Sequence, residues 1–173
     1  GIPLVFSSRR GEASRAAELL LEIARGVPLS PTSFGLSVHN APAGLFSIAR
    51  LDQASSTAVA AGESSVESAV IEACGLLAEG EPEVLVVVYD GPFPKVYSAF
   101  QDCAEQPYAW AWLIESAGSD YYSLHWSAGD NVQRSDEQRL PAGLEVLRFH
   151  LRGDAVLERT CDRRLWHWMH HVA

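Results

Sequence analysis

The chain has 173 residues, 47% of them hydrophobic, and a formal net charge of −9. That length allows one domain with a real core, and the apolar content with aromatics spread along the chain argues against disorder. The acidic balance argues against a nucleic-acid binder, which needs a basic face to neutralise phosphates. It equally disfavours a simple electrostatic dock for an acidic carrier protein or an anionic membrane. Arg9-Arg10 and Arg163-Arg164 are the only adjacent basic pairs. Cys74, Cys103 and Cys161 are odd in number, widely spaced and without a C-x-x-C, a pattern of free thiols in a reducing compartment. No run approaches the ~18 apolar residues of a membrane span, and no secretion signal is readable. The expectation is a cytoplasmic protein, with no residue pattern that calls for a cofactor. Gly1 in place of an initiator Met suggests a trimmed or processed end.

In chain order, Ile2 to Phe6 reads as a short strand ending in the turn Ser7–Gly11. Glu12 to Arg25 is a helix with Ala16, Leu19, Leu20 and Ile23 on one face, Gly26 at the C′ position and Pro28 preventing continuation. Pro28 to Ser33 reads as a loop. Val38 to Leu51 is helical, with Pro42 near its start and Leu45, Ile48 and Ala49 as its stripe. Ser56-Thr57-Ala58-Val59-Ala60 is a short buried strand, and Ala61-Gly62-Glu63 a tight turn.

The helix that follows carries Val66, Ala69, Val70, Ala73, Cys74 and Leu77 at i, i+3, i+4 spacing, and Gly80 ends it. Ser64-Ser65-Val66-Glu67 reads as a capping box, Ser64 capping and Glu67 reaching back. Val84 to Val88 is a wholly apolar strand of the kind covered on both faces, so the unit implies a parallel βαβ. Beyond Asp90 come a short helix (Val96 to Cys103) and a strand, Tyr108 to Ile114, with which Tyr121 to Trp126 is expected to pair. Ser127 to Arg139 reads as a surface loop, and Leu140 to Leu151 as a last helix broken by Gly153. In the tail from Ala155 to His171, Leu165, Trp166, Trp168 and Met169 fit neither period.

The strand–turn–helix around Glu63 is a nucleophile elbow without its nucleophile. Such an elbow presents the turn residue beside the N–H groups of a helix N-terminus, and acyl-transfer chemistry needs Cys or Ser there. Glu63 suits either a helix-terminal carboxylate, favoured by the dipole by roughly 0.3–1 kcal/mol, or a general base. Ser64 lacks the second glycine of a G-x-S-x-G elbow. His39-Asn40 suits a capping or interface role better than a catalytic one. Asp90, at a strand's C-terminal end, lies where α/β sites gather, although Gly-Pro-Phe-Pro after it suggests a turn. His167, His170 and His171, with Cys161 and Asp162, admit a zinc reading, against which stands a packed aromatic segment around Trp166 and Trp168.

The run Ser33-Phe34-Gly35-Leu36-Ser37-Val38-His39-Asn40-Ala41-Pro42-Ala43-Gly44-Leu45-Phe46-Ser47-Ile48, with Val5–Glu12, Ala61-Gly62-Glu63 and Val86–Asp90, resembles the beta-ketoacyl synthase-like N-terminal family. Members are truncated, ketosynthase-related chain-length factors of aryl polyene pigment clusters. The resemblance implies a thiolase-like α/β fold, the N-terminal half of a ketosynthase, with a mixed, mostly parallel sheet covered by helices. It implies one half-thiolase domain over residues 1–173, lacking an N-terminal segment and with no catalytic second half. The position of the family's acyl-accepting Cys falls on Glu63, so no catalytic residue is expected and no metal. The implied partner is a full-length beta-ketoacyl synthase in a heterodimer, with an acyl carrier protein engaged indirectly. The implied interface and acyl-tunnel residues are His39, Asn40, Phe46, Ser56, Thr57, Ala58 and Val59, on the edge strand Gln53–Ala60 and the helix His39–Arg50. Leu45, Ile48 and Ala49 are expected to pack on the chain's own sheet, leaving Phe46 directed at the partner. The alternative is an acyl-thioester decarboxylase or hydrolase acting through Glu63.

Overall fold

The computed structural model describes residues 1–129 and 139–172. Strand β1 (Leu4–Ser7) is buried throughout and lies inside a four-stranded sheet. It pairs in parallel with β2 (Ser56–Val59) on one side and β3 (Glu83–Asp90) on the other, and β4 (Tyr108–Glu115) closes the far edge antiparallel to β3. The expected parallel strand–helix–strand unit is present, with β1 lying between its two strands. β2 is an edge strand and only half-buried, not the buried strand the sequence suggests.

Helix α4 (Ser65–Ala78) covers one face of this sheet through Val66, Ala69, Val70 and Ala73, which meet Val5, Val84, Val86 and Val88 in the main core. The opposite face carries a smaller cluster in which Leu4, Phe6 and Ala43 are joined by Phe46, Leu85, Val87 and Tyr89. β3 therefore alternates between a fully buried and a half-buried face.

Three helices link β1 to β2. In α1 (Ala13–Ala24) the buried residues are Ala17 and Leu19, while Leu20 and Ile23, expected on the packed face, are exposed. Gly26 follows with φ +68, as a C′ glycine does. Where a loop was expected, α2 (Pro31–Gly35) forms, because Ser30 caps it by accepting from the Ser33 N–H and Pro31 stands in its first turn. α3 (Ala41–Arg50) ends at Leu51, which is left-handed with φ 53 and 91% exposed.

The second half forms a separate antiparallel sheet, β5 (Tyr121–Ala128), β7 (Arg164–His171) and β6 (Val156–Cys161) in that order, with α5 (Ala142–Arg152) running before it. Tyr121–Trp126 thus pairs with β7 rather than with the preceding strand. The tail from Ala155 to His171, whose apolar residues fit neither period, is a β-hairpin: Trp166 and Trp168 alternate inward, and Asp162 and Arg163 turn the chain with φ 51 and 59. Trp168, Val146 and Phe149 join the main core, so the two sheets share it through α4 and α5. The expected short helix after Asp90 is a 3₁₀ segment, Lys95–Phe100. Most of the expected loop Ser127–Arg139 lies outside the described residues. Among the described residues no helix is long and apolar enough to cross a membrane.

A non-glycine residue in the left-handed region costs about 1–2 kcal/mol, and Leu51 has little contact to lose. Leu51→Gly is therefore expected to raise the unfolding free energy of the isolated chain by about 0.5–1 kcal/mol, after allowing for glycine's greater freedom when unfolded. Urea titration followed by far-UV circular dichroism checks this.

Candidate functional site

The elbow forms as a 3₁₀ turn, Gly62–Ser64, between β2 and α4, and Gly62 takes φ +57 to make it. Ser64 does not cap α4. Ser65 holds the turn instead: its hydroxyl donates to the Gly62 carbonyl at 2.7 Å and accepts from the Ala61 N–H at 3.0 Å. The capping box fails because both of its side chains are taken by the second sheet. The Ser64 hydroxyl donates to Asp162 at 3.0 Å, accepts from the Trp166 indole N–H at 3.1 Å and lies 3.3 Å from the Cys161 sulfur. Glu67 turns inward to pair with Arg159 and accept from the Trp168 indole at 3.3 Å.

Arg159 and Glu67 are both buried, and around them runs a chain of charges that ends at the elbow. Arg159 also donates to Glu145 at 2.9 Å and to the Glu63 carbonyl at 3.3 Å. Glu145 accepts a bidentate pair from Arg139 at 3.2 Å each, and Arg139 donates on to the Glu63 carboxylate at 3.1 Å. Burial alone would pull the Arg159 guanidinium down, but Glu67 and Glu145 more than offset it and hold it above its ordinary value. Burial would likewise raise Glu145, and the hydrogen bonds from Arg139 and Arg159 outweigh it, holding this carboxyl below its ordinary value. Glu63 is thus a salt-bridged residue roofed by Arg139 and the β6–β7 turn. Sequence reading found Glu63 but not Arg139, Glu145 or Arg159, which spacing does not bring together; a basic residue on the buried side of a strand was the available signal.

A small cavity of about 20 Å³ lies beside the elbow, between Ser7, Arg10, Gly62, Ser65, Asp90 and Tyr108. That is room for about one water and not for an acyl chain. Asp90 organises its rim as a turn residue: it accepts from the Ser8 hydroxyl at 2.7 Å, the Tyr108 hydroxyl at 3.1 Å, and the Arg9 and Arg10 N–H groups at 3.3 and 3.1 Å. Arg9 and Arg10 pair with Asp102 and Glu105.

Of the expected interface residues, Ser56, Thr57, Ala58 and Val59 lie together on the outer edge of the sheet. His39 reaches back to the Ser8 carbonyl, 2.9 Å from Nε2, and its ring sits against Gly11, where a Cβ would come within 2.7 Å. Asn40 stands at the start of α3 without a side-chain capping bond. The expected facing of α3 is reversed. Phe46 packs edge-on against Phe6, with ring centroids 5.8 Å apart, on the chain's own sheet. Leu45 and Ile48 point outward, 52% and 70% exposed. The reason is Ala43: its small side chain seats α3 closely on β1, and Phe46, one turn on, follows it inward.

The histidines of the tail fall on a strand and take separate partners: His167 with Glu158 at 3.1 Å, His170 with Asp120 at 2.7 Å, His171 with the Ser123 hydroxyl at 2.8 Å. Among the described residues no group of three or more potential ligands converges.

A mixed sheet with an elbow between an edge strand and a buried helix is consistent with a thiolase-like ketosynthase N-terminal fold. The family described as beta-ketoacyl synthase, N-terminal domain, matches residues 1–169, and the chain belongs to it. Its fold is similar to a chain in the structure of the ketosynthase ApeO in complex with its chain length factor ApeC from Xenorhabdus doucetiae. That match has a TM-score of 0.86 and 29% sequence identity over 97% of this chain and 69% of the other. No curated protein matches the sequence. The thiolase-like ketosynthase N-terminal fold expected from the sequence is therefore present.

Removing one member of a buried ion pair leaves the other uncompensated, a loss of roughly 3–5 kcal/mol. Arg159→Met is expected to destabilise the chain by that amount, whereas Glu63→Gln, at the partly exposed end, should cost under about 1 kcal/mol. Urea midpoints separate the two. Acid gives a second check. Because the Glu145 carboxyl is held below its ordinary value of about 4.5, its contribution is full above that value and lost as pH falls through the depressed native one. Stability measured from neutral pH downward should show that loss, and Glu145→Gln should remove it.

Proposed function

We propose that this chain is a noncatalytic subunit, a chain-length factor, that pairs with a full-length beta-ketoacyl synthase and shapes the far end of its acyl tunnel in aryl polyene assembly. The observation that carries this reading is the elbow itself, where a ketosynthase needs a nucleophile and this chain has Glu63 in an ion pair with Arg139. A carboxylate held by a guanidinium is a poor base and a poor nucleophile. The decarboxylase or hydrolase alternative loses its catalytic group to the same contact. The kinship with a complex of a ketosynthase and its chain length factor supports the partner role.

The surface supports it too. Leu45, Ile48 and Leu51 line the outer side of α3 and its C-terminus, beside the open edge of β2. An unpaired strand edge flanked by exposed apolar side chains is an aggregation site unless another chain covers it. In this reading residues 1–173 act as one ketosynthase-like unit, the carrier protein delivers acyl groups to the partner, and the pair works in the cytoplasm.

Co-expression with a ketosynthase of the same system tests the reading. The wild-type chain is expected to co-purify with it, and Ile48→Asp, at an exposed position, should abolish co-purification while the far-UV circular dichroism of the isolated chain stays unchanged. Phe46→Ala should act first on this chain's own stability, since Phe46 belongs to its core. A ketosynthase that is stable and makes product of unchanged length without this chain would overturn the reading, as would Ile48→Asp pairing as well as wild type.

A further inference from the structure

A cavity much larger than the one at the elbow lies away from it. It occupies about 690 Å³ between the C-terminal half of α4, the end of β4, the β4–β5 turn, α5 and β7. Helical rise places Cys74 on its wall roughly 16 Å along α4 from Glu63. The volume is within the roughly 300–1,000 Å³ of small-molecule sites, whereas the elbow cavity has room for about one water.

The lining has a consistent chemistry. Val70, Leu77 and Ile114 supply aliphatic surface, and Trp112, Tyr122 and Trp168 supply ring surface. These rings are held in place by one another: Trp112 and Tyr122 lie nearly parallel at 6.3 Å, and Trp168 meets Trp112 edge-on at 6.3 Å. The Tyr122 hydroxyl and His150 satisfy each other at 2.9 Å, which leaves the interior with little unmet polarity. The charged residues on the lining are Glu115 and Asp120, and among the described residues that line the cavity none is Lys or Arg. A carboxylate or phosphate entering there would lose water and meet like charge.

We propose that this cavity is a second site, which binds an uncharged apolar molecule with a flat unsaturated portion, such as an acyl chain presented as an ester or thioester. The site stands on its own lining and does not depend on the partner role, so either can fail without the other. Preformed aromatic walls cost little ordering on binding, and ring faces favour unsaturated over saturated chains.

The experiment titrates the chain with the methyl ester of parinaric acid, whose conjugated chain accepts energy from tryptophan. Trp112 and Trp168 are the reporters. One-to-one, saturable loss of tryptophan emission is expected, with free parinaric acid binding about ten-fold or more weaker because of its charge. Ala78→Phe, at an exposed position on the rim, should weaken binding by about ten-fold or more by filling the cavity. A second measurement needs no variant. Cys103 and Cys161 are buried, so alkylation by a bimane reagent reports Cys74, and the bound ester should slow it several-fold. Non-saturable quenching, free acid binding as well as ester, or alkylation of Cys74 unchanged by the ester would each overturn the proposal.

Discussion

The buried pair of Arg159 and Glu67 joins the two halves of this molecule. Arg159 comes from the middle of β6 and Glu67 from the first turn of α4, so their contact fastens the antiparallel sheet onto the elbow helix. Two charges taken out of water are costly unless their remaining atoms find partners. Most do: Glu145 and the Glu63 carbonyl take the other guanidinium nitrogens, and the Trp168 indole adds a donor to Glu67. The arrangement is specific because a shift of β6 by one residue would turn Arg159 to the other face of its sheet.

That fastening decides what the elbow can do. Elsewhere an elbow of this shape opens to substrate; here Asp162, Trp166 and Arg139 close over it, and Ser64 and Glu63 serve as attachment points. The side chains at the turn are committed to contacts with the rest of the fold. What the chain leaves open lies on the other side, at β2 and the outer surface of α3, and at the aromatic cavity beyond the far end of α4.

The parallel half of the fold was legible because its signals are local and mutually consistent. The i, i+3, i+4 stripe of α4, the run Val84–Val88 and glycines at Gly26 and Gly153 each mark an element unaided. The hairpin at the C-terminal end was not legible, because its turn is Asp162-Arg163 and not Asn-Gly, and because Trp166 and Trp168 alternate over too short a run flanked by histidines. α2 was overlooked although Ser30-Pro31 is a cap and first-turn signal. At the site, Glu63 could be found by its place in an elbow. Its ion-pair partner, Arg139, lies 76 residues on in the chain, just before α5, and no period or motif connects the two. The facing of α3 was read backwards because apolar character alone does not say which side of a helix is covered: the small Ala43, not the larger Leu45 and Ile48, marks the packed face.

The central claim is that the elbow of this chain carries no acyl group and that condensation belongs to a partner. Intact-mass spectrometry of the purified pair after incubation with an acyl thioester donor tests this most directly. The account predicts an acyl-sized increment on the ketosynthase and an unchanged mass for this chain. A covalent acyl increment on this chain, mapped to the peptide containing Glu63, Ser64 and Ser65, would contradict it.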